Sequence, residues 1–235
     1  PPPPPPPPPP PFLMIPRPPR STLEWNRRQR QMCIRDRIRV VPVVVIDEIE
    51  TAAPLAETLL EAGIKAMEIT LRTDAGLDAI SVVADKVPDM LVGAGSLRTP
   101  GQIEDVTSAG ARFGVSPGST PTLVAAAQDA GLPFVPGAVT ASEMLSLFEQ
   151  GVTLQKFFPA ELAGGAAYLK AVGAPLPEVT FMPTGGISPD NAADYLALDN
   201  VSCLGGSWLA PGKLLAARDF DAIRTLARDA ARLGV

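Results

Sequence analysis

No histidine occurs in the 235 residues. Its absence removes the Ser-His and Cys-His routes to an activated nucleophile, and with them histidine-ligated zinc or iron. Acid–base work therefore falls to carboxylates, lysine, tyrosine or water. A hard-cation site built from carboxylates stays open. Cysteine is nearly absent: Cys33 and Cys203 lie far apart and match no metal or redox spacing, which points to a reducing compartment. No apolar run approaches the roughly 18 residues that a membrane helix needs, and no secretory pattern opens the chain. A cytoplasmic location with no membrane partner is expected. Also missing is the Gly-x-Gly-x-x-Gly turn of a dinucleotide-binding sheet.

What is present divides unevenly. Residues 1–11 are unbroken proline, a run restricted to extended polyproline II. Residues 1–37 carry seven arginines against two carboxylates, whereas the remainder carries thirteen basic against twenty-three acidic groups. A basic proline-rich arm suits nucleic acid or an SH3-type partner. The alternative is translated non-coding text, which Phe12-Leu13-Met14-Ile15 and Met32-Cys33-Ile34-Arg35-Asp36-Arg37 resemble. The second reading is preferred, so 1–37 is set apart from a folded domain over 38–235 and no nucleic-acid partner is expected.

From Ile38 a strand-then-helix rhythm repeats. Strands are expected at 40–46, 66–71, 91–95, 112–115, 134–135, 154–158, 180–184 and 202–205. Helices are expected at 51–62, 75–86, 101–109, 121–130, 141–150, 164–172, 189–196 and 220–233. Eight such units predict a (β/α)8 barrel, the TIM-barrel architecture, with its active site at the carboxyl ends of the strands.

Those ends are where the chemistry collects. Lys156 lies inside the apolar run Leu154-Gln155-Lys156-Phe157-Phe158. Desolvation disfavours its charged form, and a neutral amine attacks ketones. A lysine there either snorkels, pairs with a carboxylate or acts as a nucleophile. In Glu68-Ile69-Thr70-Leu71-Arg72 alternation puts Glu68, Thr70 and Arg72 on one face, towards the barrel mouth. That set is either a buried ion pair or a base with a carboxylate clamp. Gly93-Ala94-Gly95-Ser96 offers close backbone approach and one hydroxyl. Ser116-Pro117-Gly118-Ser119 is a permissive turn of the same kind. Gly185-Gly186 and Gly205-Gly206-Ser207 follow strands seven and eight, where barrels commonly hold a phosphate on bare amides.

These segments, with Lys156-Phe157-Phe158-Pro159-Ala160-Glu161 and Pro183-Thr184-Gly185-Gly186-Ile187, resemble the KDPG/KHG aldolase family in order and spacing from about Val40 onwards. The resemblance implies a metal-free, cofactor-free class I aldolase, usually a homotrimer, acting on a 2-keto acid sugar phosphate. It implies Lys156 as the Schiff-base lysine and Glu68 as the general acid/base. Arg72 and Ser96 would bind the pyruvyl carboxylate, with Pro117, Phe158 and Thr184 completing the substrate contacts. Gly185, Gly186, Gly206 and Ser207 would hold the phosphate. Ser96 stands where the family usually has threonine, which keeps the hydroxyl. Rival readings are the sister aldolase for the phosphogalactonate analogue, a sugar-phosphate isomerase or epimerase, and a non-catalytic phosphoester-binding barrel.

Overall fold

The structure, a computed structural model, describes residues 38–234. The leader expected over 1–37 lies outside them. Nine parallel strands are described: β1 Val40–Val44, β2 Ala66–Thr70, β3 Leu91–Gly95, β4 Gly114–Val115, β5 Phe134–Val135, β6 Gly137–Ala138, β7 Leu154–Phe157, β8 Thr180–Pro183 and β9 Leu204–Gly206. Their order is β5-β4-β3-β2-β1-β9 in one sheet and β6-β7-β8 in the other. Two parallel bridges, Phe181 with Val201 and Thr184 with Gly205, join β8 to the β9 edge. Since β5 runs on into β6, the two sheets form a single closed eight-membered ring. The extra strand arises at Pro136, which breaks the fifth strand. Proline has no N–H for the ladder, but its carbonyl still accepts from Lys156 N–H at 2.8 Å.

The helices are α1 Ala52–Glu61, α2 Gly76–Lys86, α3 Pro100–Ser108, α4 Pro121–Asp129, α5 Ala141–Glu149, α6 Gly165–Gly173, α7 Ala192–Leu196, α8 Gly212–Ala216 and α9 Phe220–Ala231. In α1 the buried Ala52, Leu55, Ala56 and Leu59 recur at helical spacing and form one stripe against the strands. Thr99 and Thr140 each open a helix with a reciprocal capping box, to Gln102 and Glu143. Two helices depart from expectation. The helix predicted over 189–196 begins only at Ala192, because Asn191 ties back into the preceding turn. Helix α8 was not foreseen; five residues are too short to show a period.

Side chains divide between two cores. Val44, Met67, Ile69, Val92, Ala94 and Phe157 point outwards and pack with the helices. Val41, Ala66, Phe113, Val115, Val135, Leu154, Met182 and Cys203 fill the barrel interior. Alternation along each strand produces this division. The Phe113 ring reaches across to β3, over the bare Cα of Gly93, where a Cβ would overlap the ring. These apolar layers plug the ring below the strand ends. The next inward positions, Glu68 and Lys156, therefore lie on a hydrophobic floor.

Candidate active site

Strand alternation and register deliver the central pair. Leu154 faces inwards, so Lys156, two residues later, does too; Ala66 does the same for Glu68. Lys156 is 4% exposed and Glu68 fully buried, and their Nζ and Oε1 atoms are 3.4 Å apart. At that separation the two groups are in long contact, and a proton exchanged between them would pass after a small approach or through one water. Both lie above the floor of Val115, Val135 and Met182, where few water molecules compete.

The room for Glu68 comes from β3. Glu68 pairs in register with Gly93 and Thr70 with Gly95. A Cβ on Gly95 would overlap the Glu68 carboxylate, so glycine at this position decides where the carboxylate can lie. Thr70 Oγ1 donates to the Val44 carbonyl at 3.1 Å, and Thr73 Oγ1 donates to Ile46. The end of β2 is thus fastened to β1. Glu68 Oε2 is buried without a protein partner, as is Thr184 Oγ1. Buried polar atoms are seldom left so, and unpaired ones at a strand-end cluster are positioned to meet a ligand.

Around this pair the expected residues take distinct places. The Phe158 ring centroid is 5.5 Å from Lys156 Nζ, within cation–π range. The Phe158–Pro159 peptide is cis. Arg72 is exposed at the rim and its Nε donates to Ser96 Oγ at 3.0 Å. Ser96 itself has a positive φ of 61°, unusual outside glycine. The two groups expected to clamp a carboxylate are therefore already partners. Pro117 is exposed, and its carbonyl lies against the bare Cα of Gly137; Ser116 Oγ closes that turn onto Gly118 O at 2.6 Å. Thr184 fills the space that a Cβ on Gly205 would need. Gly185 and Gly186 have φ values of 96° and 79°, open to glycine at little cost. Gly206 is buried beneath the Trp208 ring, while Ser207 is exposed.

Three residues at the mouth were given no role from sequence. Glu161 donates its N–H to Gly185 O at 3.1 Å and accepts from the Tyr195 hydroxyl. Asn191 Nδ2 donates to Gly186 O at 3.0 Å, and its Oδ1 accepts from Ser188 N–H at 2.9 Å. The Asn191 contact reaches back three residues to the Ser188 N–H, as the third residue of a capping box does, within Ser188-Pro189-Asp190-Asn191. The Tyr195 contact spans 34 residues and leaves no local trace. Among the described residues no group of three or more cysteine or acidic side chains is placed to hold a metal ion.

The family model "KDPG and KHG aldolase" matches residues 32–226. The KHG/KDPG aldolase of Escherichia coli K12 is 48% identical over 191 residues, 81% of this chain and 90% of that protein. A Legionella pneumophila KDPG aldolase, with pyruvate captured at low pH as a covalent carbinolamine, superposes with a TM-score of 0.80. It is 44% identical, over 82% of this chain and 94% of its own. The aldolase of Zymomonas mobilis ZM4 with 3-phosphoglycerate gives 0.81 at 36% identity, over 87% and 95% of the two chains. A barrel with a lysine–glutamate pair at its mouth and glycine turns at its rim, matched over this length and at this identity, belongs to the KDPG/KHG aldolase family.

Proposed function

We propose that Lys156 and Glu68 are the working groups of a class I aldolase, the lysine as nucleophile and the glutamate as proton carrier. The chain is a lyase of this family that cleaves 2-dehydro-3-deoxy-6-phosphogluconate through a Schiff base. The observation that carries the residue assignment is the buried 3.4 Å contact between Lys156 Nζ and Glu68 Oε1 at the strand ends. The covalent pyruvate adduct of the Legionella relative supports it.

The steps follow from these groups. Neutral Nζ attacks the C2 carbonyl, and loss of water leaves a protonated imine. Glu68, directly or through water, takes the C4 hydroxyl proton. The C3–C4 electron pair then moves into the imine, giving an enamine and releasing glyceraldehyde 3-phosphate. Glu68 returns the proton to C3, and hydrolysis frees pyruvate and the amine. The iminium is the electron sink, so no cofactor is required and a chelator should leave the rate unchanged. Arg72 and Ser96 would bind the carboxylate, with Phe158, Pro117 and Thr184 along the carbon chain. Gly185, Gly186, Gly206 and Ser207 would receive the phosphate.

Cleavage assays on Lys156→Ala and Glu68→Gln test this. The first should be inactive. The second should be slowed by about 10²–10⁴-fold, the usual worth of a placed general base. Full activity in Lys156→Ala would overturn the assignment. The same site should also cleave 4-hydroxy-2-oxoglutarate. A coupled assay with both phosphosugar acids separates this enzyme from its phosphogalactonate sister.

Assembly, location and domain bounds complete the proposal. A homotrimer is favoured by exposed Leu145, Phe148 and Leu162, the last 90% exposed. A cytoplasmic location fits the scarcity of cysteine, and among the described residues no helix is long and apolar enough to cross a membrane. The catalytic domain is taken as 38–235, with 1–37 a leader set apart from it although the family match begins at residue 32.

A further inference from the structure

The loop after β7 and the turn after β8 touch in a way the aldolase chemistry does not require. Glu161 N–H holds the Gly185 carbonyl at 3.1 Å. In a planar trans peptide the carbonyl and the next N–H point in opposite directions. The Gly186 N–H is therefore aimed away from the Glu161 backbone. Asn191 Nδ2 holds the Gly186 carbonyl at 3.0 Å, which aims the Ile187 N–H in the same manner. Successive backbone N–H groups left free in such a turn are the groups that anion-binding concavities are built from.

The Glu161 side chain forms a wall of the same turn. Its Cγ and Cβ lie 2.6 and 2.7 Å from where a Cβ on Gly186 would stand. Its carboxylate accepts from the hydroxyl of Tyr195, a side chain 1% exposed on α7. Gly165 adjoins that contact: a Cβ there would stand in ordinary contact, 3.4 Å, with both Glu161 Oε1 and Tyr195 Oη. Burial, then the hydrogen bond and charge of Glu161, hold the phenol well above its ordinary range, so it remains a donor at any assay pH. A negative side chain beside a phosphate turn is costly unless something directs its charge elsewhere.

We propose that the Tyr195–Glu161 pair is a positioning device for the Gly185–Gly186 turn, and that it sets how strongly the enzyme selects phosphorylated over unphosphorylated substrate. The proposal rests on reading this turn as the phosphate site. Tyr195 fixes the carboxylate away from the turn, and the Glu161 main chain and stem fix the turn itself.

The test compares 2-dehydro-3-deoxy-6-phosphogluconate with its unphosphorylated counterpart, in the wild type and in variants. Tyr195→Phe should raise KM for the phosphorylated substrate about tenfold, the low end for a hydrogen bond to a charged group. KM for the unphosphorylated substrate, and both kcat values, should not move. Glu161→Gln keeps an acceptor for the hydroxyl and should behave as wild type. The double variant Tyr195→Phe/Glu161→Gln should recover most of the loss, since no charge is left to swing towards the phosphate. Glu161→Ala, which alters a surface carboxylate, should show the same substrate-dependent split and serves should Tyr195→Phe fold poorly. Equal KM values for the two substrates in the wild type would overturn the phosphate reading itself. A wild-type preference that Tyr195→Phe and Glu161→Ala leave intact, or KM values that rise alike for both substrates, would overturn the positioning role alone.

Discussion

Glu68 and Lys156 lie 88 positions apart in the chain, and their own neighbours leave each open, the lysine to snorkelling or pairing and the glutamate to a buried ion pair. A glutamate alternating with Met67 and Ile69 is expected at the barrel mouth, whereas Leu-Gln-Lys-Phe-Phe is apolar on both faces and the fold alone turns Leu154 and Lys156 inwards. What their local sequences did not contain was Gly95. Its role depends on the pairing of β2 with β3, which puts a bare Cα beside the Glu68 carboxylate. Gly95→Ala should therefore shift the carboxylate. Overpacking of this kind costs about 1–3 kcal/mol. A fall in both kcat and thermal stability is expected, read by steady-state kinetics and a melting curve; wild-type kcat would deny Gly95 its role. The Tyr195–Glu161 contact was equally hidden, because a tyrosine in a short apolar helix reads as ordinary core.

At the scale of elements, long strands and capped helices were legible, and short pieces were not. Thr140 followed three residues on by Glu143 announces a helix start, and the reciprocal hydrogen bonds form. Thr140→Ala should cost about 1 kcal/mol, the usual worth of an N-cap, measured by denaturant unfolding. The backbone N–H groups of Thr140 and Val139, in that order, hold the Glu143 carboxyl below its ordinary range. A depressed folded-state value stabilises the protein above the unfolded-state value, and that stability disappears as the pH falls through the folded one. Wild type should therefore lose stability relative to Glu143→Gln on acidification below the ordinary carboxylate range. The fifth strand's division at Pro136 and the five-residue α8 escaped detection for one reason: two to five residues carry no period.

For the whole molecule, eight repeats of strand and helix predict the closed ring over an open doubly wound sheet, which more often has five or six strands and opens on a Gly-x-Gly-x-x-Gly turn. The division into an inner and an outer core followed from alternation alone. Its sharpest consequence is Phe113, whose inward ring lies over Gly93 of the neighbouring strand. Phe113→Ala should cost about 3–5 kcal/mol, and it should lower activity because the floor beneath Lys156 is lost. Oligomeric state was the least legible property, since exposed Leu145 and Phe148 on one helix and Leu162 on a loop read in sequence as ordinary core positions. Light scattering coupled to size exclusion should return three times the chain mass.

The account depends most on covalent attachment at one side chain. Incubation with pyruvate and borohydride, followed by peptide mapping, tests it most directly. A reduced pyruvyl adduct should appear on the peptide containing Lys156, and it should persist in Glu68→Gln. An adduct on Lys65, Lys86, Lys170 or Lys213 instead, or no gain in mass, would contradict the account.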